Sequence, residues 1–353
     1  MKSQNKVLFI CSHTPSANAP EAGHKTAWRN IERLAQECEV DVLLVTNSSE
    51  LQCIPIQWPN NVTLLEPVAV SKLGKLVAVL THARQWSPRF AARLTPNAIR
   101  AVQCALAHTR YDRIWLEFTE CGGFLDLIPT ETPVTISAPD VLIQWALRSR
   151  SLYRYLAPWI FDDELAVLTR ANLVEAQSHK DAELIRSLYS IQHVIVEVPA
   201  LAIFLRHLRR NASTVVPHSI LFWGAMSRTE NSRAILRFLN DHWPRIVNHY
   251  PDAVLYIVGS NPPMELTKFA SSQVIVTGFV NDPSAYFEQA AVGIAPLEEG
   301  AGIKVKVLEM LEAGMPVLST SIGAEGIFES NLLTIIKFSQ FGDAIIKIFD
   351  QTV

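Results

Sequence analysis

The chain has 353 residues, 49% hydrophobic and 18% charged, and a net charge of −3. That is enough apolar material for two ordinary globular cores, and the near-neutral balance argues against a nucleic-acid partner. The five cysteines (Cys11, Cys38, Cys53, Cys104, Cys121) are odd in number, scattered and confined to the N-terminal half, which suits reduced thiols rather than a disulfide framework.

No Cys/His cluster has zinc spacing, so no metal is expected. No uncharged run approaches the length of a membrane span. The first residues lead straight into a strand with no signal-peptide core, so a cytoplasmic location is expected.

Along the chain, Lys6–Cys11 reads as a buried strand, followed by a Ser/Pro/Asn-rich loop to Gly23 and a helix over 24–38. Val40–Val45 is the next strand, and this βαβ opening implies a parallel sheet. Val62–Leu65 reads as another strand. From Val68 to Arg93 the chain is apolar, interspersed with Lys72, Lys75, Arg84, Arg89 and Arg93, with Trp86 and Phe90 and no Asp or Glu. Such a stretch describes a surface for anionic lipid at the inner face of a membrane or, more often, a solvated face. Pro96–Thr109 reads as helix, Arg113–Phe118 and Pro133–Ser137 as strands, and Asp140 opens a helical region. A helix over 159–170 carries Asp162, Asp163 and Glu164 on its early turns, where they suit the helix dipole. Leu173–Gln177 is a strand, Ser178 caps the next helix, and His193–Val198 closes the series. The basic run Arg206–Arg210 reads as a connector.

The alternation then starts again. Ser219–Trp223 is a strand entering Gly224, with a helix from about Asn231 and a new turn at Pro244. Ala253–Val258 ends at Gly259, and Val274–Thr277 enters Gly278-Phe279. A helix covers Pro283–Ala290; Leu332–Ile336 and Gly342–Phe349 finish the chain. Two series of βα units predict two doubly wound domains, over 1–210 and 211–353, with ligands outside the carboxyl ends of the strands.

The richest stretch runs from Gly293 to Gly326. An apolar strand enters a loop with Gly300 and Gly302, which permit tight turns and close approach to a ligand. A helix follows over 303–313, closed by Gly314 and Pro316. The loop thus delivers a helix N-terminus, a natural phosphate site. Lys306 and Glu309, three apart, share one helix face. The lysine suits a phosphate charge and the glutamate suits paired sugar hydroxyls; a solvated Lys-Glu pair would carry the same spacing.

The pattern Gly300-x-Gly302-x-x-x-Lys306-x-x-Glu309, then Ala313-Gly314-x-Pro316-Val317, then Ser321-x-Gly323-Ala324-Glu325-Gly326, resembles the donor-binding half of family 4 glycosyltransferases of GT-B fold. The resemblance covers about Ser219–Phe328 and is weaker over the N-terminal half. It implies two Rossmann-like domains facing across a cleft, and a retaining enzyme that moves a sugar from a nucleotide sugar to a glycan, lipid-linked or other acceptor, without a cofactor or bound metal, in polysaccharide or glycoconjugate biosynthesis. By the same resemblance Gly300, Ala301, Gly302, Ile303, Lys304 and Lys306 would hold the diphosphate, Glu309 the ribose, and Gly278 and Phe279 would lie beside the base. Gly224 opens the loop of the first donor-side strand. In the first loop, Gly23 and Lys25, with Arg29, would face the acceptor.

Three departures stand beside this. Many relatives carry Arg directly after the glycine of that strand and Lys six residues on; here these are Ala225 and Asn231, with Arg228 and Arg233 nearby as substitutes. A glutamate eight residues before the second one falls on Ala301, leaving Glu298 or Glu299 to reach the sugar. A histidine common in the N-domain is replaced by Pro139-Asp140, which leaves Asp140 as an acceptor-side candidate. The closing helix that crosses back in relatives reads as short or missing. The alternative is a catalytically degenerate homologue that binds nucleotide or a partner. A nucleotide-sugar epimerase is a third reading, but no acid/base pair is placed for it.

Overall fold

The computed structural model describes residues 5–17, 19, 21–199 and 201–351. Contacts divide it into two compact units, 1–200 and 201–353. The sequence boundary was drawn after residue 210. In the structure Phe204, Leu205 and Leu208 pack into an apolar cluster of the second unit, and Arg210 donates to the carbonyls of Phe287 and Ala290. The apolar residues of the connector fix its allegiance.

The first unit is a parallel sheet of β1 (Lys6–Cys11), β2 (Glu39–Thr46), β3 (Val62–Leu64), β4 (Val68–Ala69), β5 (Arg113–Glu117), β6 (Val134–Ala138), β7 (Leu173–Ala176) and β8 (Val194–Val196). Its order is β3-β2-β1-β5-β6-β7-β8, with β4 paired to the end of β2. Strand residues alternate between two cores. Leu8, Ile10, Ile114, Leu116 and Ile136 enter one; Val7, Phe9, Val40, Val42 and Trp115 enter the other. Burial on both faces is why these strands read as unbroken apolar runs.

Two surface expectations change. Asp163 and Glu164 lie in the middle of the helix Ala157–Arg170 and are buried. Asp163 accepts from the Ser87 amide at 2.8 Å. Glu164 accepts from the Leu142 and Ile143 amides and from the Tyr189 hydroxyl. They satisfy backbone donors of neighbouring segments rather than the dipole of their own helix. In the basic stretch, Trp86 and Phe90 are core residues stacked on each other, while Arg89 and Arg93 pair with buried Glu120. What remains outside is the helix Lys72–His82, whose Leu73, Leu76, Val77 and Leu80 are exposed at i, i+3, i+4 and i+7 spacing.

The second unit is a parallel sheet of β9 (Ser219–Trp223), β10 (Val254–Val258), β11 (Val274–Gly278), β12 (Val292–Ala295), β13 (Val317–Ser319) and β14 (Leu333–Ile335). The order β11-β10-β9-β12-β13-β14 reverses direction between β9 and β12, which is where doubly wound sheets open a crevice for ligands. The last helix, Phe341–Asp350, lays Phe341, Ile345 and Phe349 into this unit's own core.

The carboxyl ends of β9, β10 and β11 form a stair of glycines. The Gly224 amide donates to Val258 O at 3.0 Å and the Gly259 amide to Gly278 O at 3.2 Å. A Cβ on Gly259 would stand 1.8 Å from Gly224 O, whereas a Cβ on Gly278 would meet nothing within 4 Å, at a φ of +70°. Gly259→Ala must therefore push two strand ends apart and is expected to lose about 1–3 kcal/mol by overpacking. Gly278→Ala faces only the left-handed backbone penalty of about 1–2 kcal/mol. Urea melts of both variants, with Gly259→Ala the less stable, test this ordering.

Candidate active site

The switch point of the second sheet is lined from three directions. β9 brings Phe222, Trp223 and Gly224. The helix Thr229–Asp241 brings Asn231 near its start. The helix Val305–Glu312 brings Lys306 and Glu309. It begins two residues later than the sequence implies, because Gly302 has a φ of +69° and Lys304 is still extended.

Lys306 is expected at the solvent edge, but the structure encloses its ammonium. Nζ donates to Asn231 Oδ1 at 2.5 Å and lies 5.0 Å from the centre of the Phe222 ring. Asn231, 4% exposed, is itself oriented by donating Nδ2 to Ala225 O at 2.7 Å. A Cβ on Gly224 would stand 3.0 Å from Nζ and 3.2 Å from Asn231 Nδ2, so a side chain there would crowd both groups. Burial, then the nearby Arg228 charge, holds the Lys306 pKa down to about 7, against the opposing pull of Glu230. Arg228 itself pairs with Glu230 at 2.6 Å.

Glu309 turns toward the same strand end. It is 3% exposed, accepts from Trp223 Nε1 at 2.6 Å through one oxygen and from the Ala202 amide at 3.0 Å through the other. These positions set aside the solvated Lys-Glu pair.

The loop between β12 and the helix is held by its own charges. Lys304 folds its ammonium back onto the Ala301 and Gly302 carbonyls at 2.9 and 2.6 Å, and Ala301 is buried. Glu298 and Glu299, expected to reach a sugar, pair instead with Arg237 and Arg233 of the helix Thr229–Asp241. Arg233 is thereby engaged as well. The Gly278 turn leaves Phe279 exposed at 55%, and Gly300 and Ile303 are half-buried in the loop.

In the first unit, Asp140 follows β6 at its carboxyl end and is half-buried. Gly23 lies in the first turn of the helix Ala22–Ala35, where a Cβ would meet the Phe118 ring at 3.2 Å; Lys25 follows, half-buried. Sequence reasoning missed Trp223, Phe222 and the Ala202 amide as partners, because nothing local ties them to a helix lying far along the chain. It also missed a cluster of His13, His24 and Glu50 near the ends of β1 and β2.

Residues 217–351 match the family model of Glycosyl transferases group 1. The "Uncharacterized 44.6 kDa protein in cps region" of Klebsiella pneumoniae is 31% identical over 117 residues, 31% of this chain and 30% of that one. Among solved structures, a sucrose-phosphate synthase from Thermosynechococcus elongatus superposes with a TM-score of 0.74 at 15% identity, covering 99% of this chain and 90% of that one. WaaG, a glycosyltransferase involved in lipopolysaccharide biosynthesis, gives 0.67 at 16%, covering 98% and 91%. HepE of Anabaena, in complex with UDP-glucose, gives 0.62 at 13%, covering 98% and 90%. The two parallel-sheet α/β units share the fold of GT-B glycosyltransferases. Over residues 217–351 the second unit is thus similar to the group 1 glycosyl transferase domain.

The enclosed ammonium gives a pH signature. The Lys306 pKa is near 7 in the folded chain and returns to about 10.5, the ordinary lysine value, on unfolding. Between these values the unfolded chain binds more protons, so this group makes stability rise with pH across that window; below about pH 7 the destabilisation is fully present. Lys306→Met has no titrating group at this position. Its thermal stability relative to the parent is expected to be highest near pH 6 and to decline toward pH 10, and a difference independent of pH would contradict the enclosure.

Proposed function

We propose that the protein transfers a sugar from a nucleoside diphosphate sugar to a hydroxyl of a glycan or lipid-linked acceptor, with retention at the anomeric carbon, in polysaccharide or glycoconjugate synthesis. The observation that carries this is the enclosed Lys306 ammonium beside a side-chain-free strand end, next to the start of its helix. A diphosphate there meets a cation, the Gly302–Lys304 turn and the helix dipole together. Support for the ligand class comes from HepE, whose structure holds UDP-glucose. Support for the pathway comes from WaaG and from the relative in a cps region.

In this reading the bond from the anomeric carbon to the diphosphate breaks, and its electron pair leaves on the phosphate oxygen. Lys306 stabilises that charge as it develops. The acceptor oxygen bonds to the anomeric carbon, and its proton passes to the departing diphosphate. Glu309 faces the ribose hydroxyls, Phe279 lies by the base, and Gly23, Lys25 and Asp140 serve the acceptor side.

The Arg228–Glu230 and Arg233–Glu299 pairs favour a second reading, a homologue that binds nucleotide without turnover, since they occupy the cations nearest the missing Arg and Lys positions. Isothermal titration against UDP, GDP and ADP, followed by donor-sugar turnover assays, separates the two. One nucleoside diphosphate is expected to bind, and Lys306→Met to weaken it about ten- to hundredfold, as for loss of a charge-assisted contact. An anion beside Lys306 raises its pKa, so binding at about pH 8 is expected to take up a proton, seen as a buffer-dependent enthalpy that the variant lacks. Unchanged affinity in a folded Lys306→Met protein would remove the residue from the reading; binding without turnover would select the second one.

Membrane contact belongs to the same proposal, through the helix Lys72–His82. Leu73 and Leu80 are each 70% exposed, and Lys72 and Arg84 flank them on the surface. Such a face suits anionic lipid. The protein is expected to float with anionic vesicles at low salt, and Leu73→Ser with Leu80→Ser to abolish this without loss of fold. Equal flotation with neutral vesicles at high salt would count against the electrostatic part.

A further inference from the structure

His13, His24 and Glu50 come from three separate segments of the first unit. His13 sits in the loop after β1, His24 in the first turn of the helix Ala22–Ala35, and Glu50 in the short helix Ser48–Leu51 after β2. One ligand-capable atom from each lies within 4.8 Å of the others. We propose that these three side chains bind one divalent transition-metal cation of the zinc class.

The spacing fits such an ion. His13 Nδ1 and Glu50 Oε1 are 3.3 Å apart, and two ligands at about 2.0–2.2 Å from a tetrahedral ion stand roughly 3.3–3.5 Å from each other. The outer contacts orient the ligands. His24 Nδ1 lies 2.7 Å from Thr14 O; because a carbonyl only accepts, the proton is on Nδ1 and the Nε2 lone pair is left for a metal. The amide of the same residue, Thr14, donates to Glu50 Oε2 at 3.0 Å, and Asn47 Nδ2 donates to Oε1. Phe118 closes one side, its ring edge-on to His13 at 5.0 Å.

A simple His13–Glu50 ion pair leaves the second imidazole unexplained. The two rings are 5.2 Å apart, and two imidazoles and a carboxylate together suit a borderline cation. Nitrogen in two of three positions favours zinc, cobalt or nickel over magnesium or calcium. Three protein ligands leave a position open for water or an oxygen ligand. In the fold, the ion would tie the loop after β1 to both neighbouring helices. This inference is independent of the nucleotide-sugar reading.

The test is a zinc titration of chelator-treated, dialysed full-length protein, by calorimetry and by competition with a chromophoric chelator. One tight equivalent per chain is expected, together with a rise in melting temperature. His24→Ala leaves the Thr14–Glu50 contacts in place and is expected to weaken binding by at least about 100-fold, more than loss of an outer partner does; His13→Ala should do the same. Cys104 Sγ and His108 Nδ1, 3.5 Å apart on the surface, are a separate place for zinc to adhere, so the Cys104→Ser, His108→Ala protein should keep the tight equivalent. Zinc binding that survives both His13→Ala and His24→Ala, or is absent from the parent, overturns the site. If His24→Ala fails to fold, cobalt bound to the parent decides: absorption bands of a tetrahedral nitrogen/oxygen site support the proposal, and their absence overturns it.

Discussion

A lysine ammonium held between a phenylalanine ring and one amide oxygen needs a wall without side chains, and that requirement runs through the carboxyl edge of the second sheet. Gly224 supplies the wall, since any Cβ there would press on Lys306 Nζ. Gly259 lets β10 end against Gly224. Asn231 is aimed at the ammonium only because Ala225 O holds its other end. The helix that carries Lys306 must also approach β12 closely: a Cβ on Gly293 would come within 2.5 Å of Met310 Sδ. Four backbone or side-chain choices distant in sequence thus serve one group.

Most of the architecture could be read from the chain, because strands buried on both faces advertise themselves as short apolar runs and glycines mark where they end. Most strands of the second unit and the stretch around Gly302 and Lys306 are legible for that reason. What was hidden depended on contacts between distant segments. Asp163 and Glu164 looked like surface charges and are buried acceptors. Trp86 and Phe90 looked like membrane anchors and are core. Glu298 and Glu299 looked available for a sugar and are paired with a neighbouring helix. Local periodicity does not encode which partner a charge meets across the fold. The imidazoles of His13 and His24 were missed on the same account, since their separation along the chain matches no ligand motif.

The residues that depart from the glycosyltransferase pattern acquire a physical role in the folded chain. Asn231 replaces an expected cation, and its neutral amide oxygen is what accepts Lys306. A second ammonium at that position would stand against the first in a poorly solvated place. Ala225 contributes only its carbonyl, to hold Asn231. Arg228 and Arg233 are each matched by a glutamate, whereas Lys306 is held by a neutral amide oxygen and its charge is only partly retained near neutral pH.

That arrangement places a cost on the folded protein where a ligand would relieve it. Burial that drives a lysine pKa down by several units destabilises the charged form by about 1.4 kcal/mol for each unit, an upper bound here because the side chain is only half-buried. An exposed lysine would incur no such cost, but it would also lose most of its attraction for a phosphate to water and salt. Packing against Phe222 shields the ammonium from part of the solvent, so a diphosphate in the crevice would interact in a less polar medium and would restore the missing proton as it bound. Strongly shifted groups gather at functional sites for this reason. In this chain the shifted lysine lies at the one place where the second sheet reverses direction, so electrostatics and topology select the same residues.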